Sequence, residues 1–121
     1  MKILLQSLIT LMVLGFSSCL SDSEDELLMD IDACDTLHVT YSANIQPMLA
    51  TNCYSCHKTG IASGQVVLDN YASVKQYAQN GNLLSAIEHR PGFSPMPQNA
   101  DKLTDCEIAK VRAWIDLGLP E

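Results

Sequence analysis

Cys53-Tyr54-Ser55-Cys56-His57 is the stretch of this sequence whose residue types and spacing are best suited to chemistry. Two residues between two cysteines let both sulfurs reach the two vinyl groups of one porphyrin and form thioethers. The histidine that follows is then set against one porphyrin face, where its imidazole can ligate iron. Cys-x-x-Cys-His therefore reads as the attachment site of one covalent haem c. Three other readings compete. A thioredoxin-like dithiol needs a βαβ setting, whereas helical pattern and a glycine-containing loop flank this motif. A structural zinc site needs a fourth ligand at recognisable spacing, usually from a second Cys/His pair, and the sequence has none. A Cys53–Cys56 disulfide would leave His57 without a role.

The second axial group on the iron decides what such a haem does. Met96 lies in Phe93-Ser94-Pro95-Met96-Pro97, where two prolines stiffen the chain around a thioether. A stiff loop loses less entropy when held, so it can keep a weak ligand on the metal. His/Met ligation raises the reduction potential. Methionine more often fills a core, as Met48 does in sharing a helical face with Ile45 and Leu49. Met96 differs in standing in a polar, proline-bounded loop. His89 is the rival ligand and would give a bis-His haem of lower potential, although a histidine at a helix end also simply favours the helix dipole. An open position is the third alternative. His38 reads as a surface residue. No Ser/His/Asp or carboxylate constellation stands out, so no catalytic residue and no small-molecule substrate are assigned.

The elements that must position these groups are helical. Asn44 to Thr51 carries Ile45, Met48 and Leu49 on one face, with Pro47 tolerated in a first turn. A second helix is predicted from the cap candidate Asn70 through Val74, Tyr77 and Ala78 to Asn80-Gly81. A short third one runs from Leu83 to about His89, before Pro91-Gly92. Thr104 and Glu107 form a capping-box pattern ahead of Ile108, Val111 and Ile115, with Trp114 beside them, and Gly118 and Pro120 close that helix. No β-rich stretch exceeds Gln65 to Leu68. The fold class expected is all-α.

The 121 residues suffice for one small domain. Lys2 and the apolar run from Ile3 to Phe16 match the charged start and apolar core of a secretory signal at residues 1–18; the run is too short for the roughly twenty residues of a membrane span. Ser17-Ser18-Cys19 resembles the lipobox of bacterial lipoproteins, in which the Cys is acylated. Phe16 stands where that family usually has Leu, and ordinary cleavage nearby is the alternative. Residues 19–33 then read as a lipidated Cys19 and a flexible acidic tether, with the functional domain at 34–121. The chain is thus expected to be exported and lipid-anchored in the cell envelope, at the periplasmic face or the cell surface. Formal charge is −7, the wrong sign for neutralising nucleic-acid phosphates. An acidic surface can steer a partner with a basic docking surface, and it can equally serve solubility alone.

From Thr40 to Leu119 the sequence resembles a class I cytochrome c domain, closest to the small monohaem domains of bacterial cell-envelope lipoproteins. The resemblance rests on the haem motif after a first helix, the Met96-Pro97 loop, and a closing helix reading Cys106-Glu107-Ile108-Ala109-Lys110-Val111-Arg112-Ala113-Trp114-Ile115. It implies a cytochrome c-like fold whose first and last helices pack together. It also implies thioethers at Cys53 and Cys56, and His57 and Met96 as iron ligands. Cys34 and Cys106 remain; in the oxidising compartment where such cytochromes mature, paired thiols tend to form a disulfide, and two buried free thiols are the alternative. Such a bridge would contribute roughly 3–5 kcal/mol in the chain-entropy model. The function implied is an electron carrier or relay between redox proteins. A haem enzyme or gas sensor with a labile distal ligand, and a haem subunit of a larger oxidoreductase, are the other readings.

Overall fold

The computed structural model describes residues 34–121. The signal segment 1–18, Cys19 and the acidic tether expected above lie outside the described residues. Among those described there are four α-helices and no strands.

The first helical element starts at Tyr41, three residues before the hydrophobic pattern places it. Thr40 and Asn44 account for the early start. The Thr40 hydroxyl accepts the Ala43 N–H at 3.2 Å, and the Thr40 N–H donates to the Asn44 side chain at 3.0 Å. Pro47 has no N–H to donate, and the turn ahead of it, Tyr41–Ile45, is wide and π-helical. Helix α1, Gln46–Asn52, continues directly from it. Ile45 and Leu49 are fully buried, and Met48 packs half-buried against the same core.

Helix α2, Tyr71–Gln79, is capped by Asn70, whose side chain accepts the Ser73 N–H at 2.9 Å. Gly81, at φ +78°, turns the chain into α3, Asn82–Ile87; the left-handed conformation there is one that glycine adopts without steric cost. Neither helix is long enough to be stable alone in water. Val74 and Ala78 of α2, with Leu83 and Ile87 of α3, bury the faces that hold them in place.

Helix α4, Asp105–Asp116, begins with the full capping box of Thr104 and Glu107. Trp114, read from the sequence as flanking the apolar face, is completely buried, whereas Ile115 is half-buried. The reason is a polar tie at the edge of the core. The Trp114 indole N–H donates to the Pro120 carbonyl at 2.8 Å, and the Tyr41 N–H donates to the same carbonyl at 3.0 Å. The Tyr71 hydroxyl donates to Leu119 at 2.6 Å. Tyr41, Tyr71 and Trp114 pack as one aromatic cluster, Tyr41 edge-on to Tyr71 at 5.2 Å. The first and last helical elements are therefore packed together.

Two side-chain links brace this framework. Cys34 is disulfide-bonded to Cys106 in the first turn of α4, with Cα atoms 5.5 Å apart and a sequence separation of 72. Glu88, just past α3, accepts hydrogen bonds from both Arg90 and Arg112 of α4.

Candidate functional site

The residues Cys53 to His57 are wound by the end of α1. The Cys53 N–H bonds to Leu49 at 2.8 Å, and the His57 N–H bonds to Cys53 at 2.8 Å. This turn presents Cys53 half-buried and Cys56 exposed, neither sulfur engaged in a disulfide. Burial, and then the nearby Glu107 charge, push the Cys53 thiol up to about 11. A half-buried thiol beside an acidic side chain is not the electropositive setting of a thiolate nucleophile or redox dithiol, which weighs against the thioredoxin-like reading. Among the described residues no three His, Cys, Asp or Glu side chains converge as a metal cluster would require.

His57 is oriented by the extended segment Val66–Leu68. Its Nδ1 lies 3.4 Å from the Val66 carbonyl, and its own carbonyl accepts the Leu68 N–H at 2.7 Å. A protonated Nδ1 facing a carbonyl leaves Nε2 as the free, metal-binding nitrogen. Asp69 holds the intervening loop, its carboxylate accepting the Thr59 N–H at 2.7 Å and the Thr59 hydroxyl at 3.1 Å. Those bonds, the main-chain one foremost, keep the Asp69 carboxyl below its ordinary range.

Met96 sits after α3, with its N–H bonded to the Ala86 carbonyl at 3.1 Å. It shares with Cys53, His57, Val66 and Ser94 the lining of two adjoining spaces, a cavity of about 210 Å³ and a larger cleft of about 600 Å³. The smaller cavity is walled by Leu68, Leu83, Ala86, Ile87 and Phe93, with Tyr77 and Asn82 as polar members. Cys56 lines the larger cleft. Together these spaces are of the size that holds a cofactor. Their donor set suits a covalent porphyrin: two sulfurs at the rim, one imidazole with a free nitrogen, one thioether and an apolar wall.

The sequence-predicted residues Cys53, Cys56, His57 and Met96 are thus brought to one place. His89 lies outside both spaces and is exposed, its Nε2 3.1 Å from the Met96 carbonyl. His38 is exposed beside Asp35. The orienting residues Val66, Leu68, Thr59 and Asp69 were not singled out from the sequence, because main-chain acceptors and a loop-closing carboxylate leave no motif.

The family model for cytochrome c matches residues 42–117. The chain belongs to the cytochrome c family. The cytochrome accordingly binds haem c, covalently and with iron, as an electron-transfer protein with redox proteins as donors or acceptors. The all-α architecture agrees with that membership. Cytochrome c domains are typically exported, and among the described residues no helix is long and apolar enough to cross a membrane. No curated protein and no solved structure matches the chain.

Proposed function

We propose that this cytochrome is a single-haem electron carrier or relay of the cell envelope, with Cys53 and Cys56 as the thioether residues and His57 and Met96 as the axial ligands. The haem, when bound, supplies a one-electron iron couple. The observation that carries the reading is that His57 and Met96 line one largely apolar cavity, each fixed by main-chain bonds. His57 offers Nε2 because Nδ1 is occupied by Val66. Met96 offers a neutral sulfur, which favours a high potential. The apolar wall limits water around the site, a second control on potential.

Export and anchoring belong to the same proposal. The segment 1–18 serves as the signal, Cys19 takes the lipid, and residues up to Asp32 form the tether. Six of the fourteen acidic side chains lie between Asp22 and Asp32, so the tether is the acidic feature best suited to a basic redox partner.

Absorbance spectra of the matured protein test this. Covalent haem and a sulfur-to-iron charge-transfer band are expected in the wild type, with little change on adding carbon monoxide. Met96→Ala should lose the band and bind carbon monoxide. A protein without covalent haem would sink the reading, and ready carbon monoxide binding by the wild type would favour a sensor or enzyme instead.

A further inference from the structure

His89 follows α3 with φ +57°, in the left-handed region where Gly or Asn usually ends a helix and other side chains meet a steric cost. Strained residues persist where the surroundings hold them, and they point towards function. Its ring provides the reason. Nε2 lies 3.1 Å from the Met96 carbonyl, an acceptor only, so the ring must donate from Nε2. The Met96 N–H meanwhile donates to Ala86, whose carbonyl also accepts the His89 N–H at 3.2 Å. Both main-chain polar groups of Met96 are therefore tied back to the end of α3, one through Ala86 and one through His89. Residues 91–95 between them are exposed and include Gly92 at φ +89°, so apart from Phe93 against the cavity burial does little to hold that loop.

We propose that His89 is a latch: a positioning residue whose Nε2–H bond to the Met96 carbonyl keeps the Met96 thioether in the cavity and sets how readily an exogenous ligand displaces it. The proposal rests on Met96 as the distal ligand. His89 touches the main chain of that residue and acts through it.

The test is imidazole titration of the ferric, haem-loaded protein, followed by the charge-transfer band, with thermal unfolding measured in parallel. His89→Gly removes the donor and also relieves the left-handed strain. Its thermal stability should equal or exceed that of the wild type while its imidazole affinity rises about three- to tenfold, the loss of one hydrogen bond. A merely structural His89 would not give that combination. His89→Gln keeps an N–H donor and should stay near the wild type. If His89→Gly matures poorly, His89→Leu makes the same comparison with side-chain bulk retained. Unchanged affinity in the donor-less variants, or an equal rise in His89→Gln, overturns the latch. A wild type that lacks the band overturns the Met96 ligand and the latch with it. That result differs from a band present in every variant with affinities unmoved.

Discussion

His57 turns its Nδ1 to the Val66 carbonyl at 3.4 Å, while its own carbonyl takes the Leu68 N–H at 2.7 Å. The imidazole is thus aimed by a segment nine to eleven positions beyond it. The bond at Nδ1 is long for N–H···O, and the shorter main-chain bond sets the approach of the two segments. Whatever keeps the connecting loop closed therefore bears on how the His57 ring is held.

Asp69 is the loop's closing group, so Asp69→Asn should loosen the hold on His57. The sign of the pH effect follows from its lowered pKa, caused first by the Thr59 N–H and helped by the Thr59 hydroxyl. A carboxylate depressed in the folded state stabilises it above the ordinary value, roughly pH 4, and that contribution is lost as pH falls through the folded value. Urea midpoints of wild type and Asp69→Asn should differ at neutral pH and converge in acid. Midpoints that differ equally at both would show that the carboxylate charge is irrelevant.

The attachment motif, the Met96 loop and the capped last helix were legible in the sequence because each rests on local chemistry. Cys-x-x-Cys-His has a fixed spacing, Pro95 and Pro97 bracket Met96, and Thr104 meets Glu107 within one turn. The early helix start at Tyr41 was not legible, since it depends on the side chains of Thr40 and Asn44 exchanging bonds with the main chain. The full burial of Trp114 depends on the distant Pro120 carbonyl. His89 was read as a rival ligand because a histidine near a haem motif suggests iron; its contact with a main-chain carbonyl depends on the path of the loop, and the sequence carries no record of that path.

The Cys34–Cys106 bond closes a loop spanning 72 positions, and long loops lose the most unfolded-state entropy on cross-linking. The double variant Cys34→Ser, Cys106→Ser should lose roughly 3–5 kcal/mol of stability, measured by denaturant unfolding of the haem-loaded protein. Its absorbance spectrum should be unchanged, because neither cysteine lines the cavity or the cleft. A stability within experimental error of the wild type would mean that the bond does little to constrain the unfolded chain.

Tyr41 gives the alkaline limit. Burial, followed by the neighbouring Tyr54, pushes its phenol from 10.0 up to about 12. The unfolded chain releases this proton near pH 10 while the folded protein keeps it to about 12. Stability is therefore undiminished below the lower value and falls as pH rises towards the upper one. Tyr41→Phe should abolish that part of the decline, seen as a shallower dependence of the urea midpoint on alkaline pH. Parallel declines in the two proteins would assign the alkaline loss to other groups.

Glu88 ties the end of α3 to α4 by accepting from Arg90 and Arg112, and its side chain is only 10% exposed against 52% and 58% for the two arginines. The Arg112 hydrogen bond above all, with Arg90, lowers its pKa. A sheltered carboxylate between two exposed guanidiniums belongs near the upper end of surface ion pairs, about 1 kcal/mol. Glu88→Gln should lose about that much at neutral pH and low salt. The difference should shrink as salt screens the exposed arginines, and again as pH falls through the lowered folded value. A double-mutant cycle with Arg112→Gln separates this bond from the Arg90 one. The cycle also bears on the distal side, because Glu88 immediately precedes His89. If the α3–α4 tie steadies the latch, Glu88→Gln should raise imidazole affinity, but less than His89→Gly does. A rise as large as that of His89→Gly would instead make the ion pair the principal restraint on the Met96 loop.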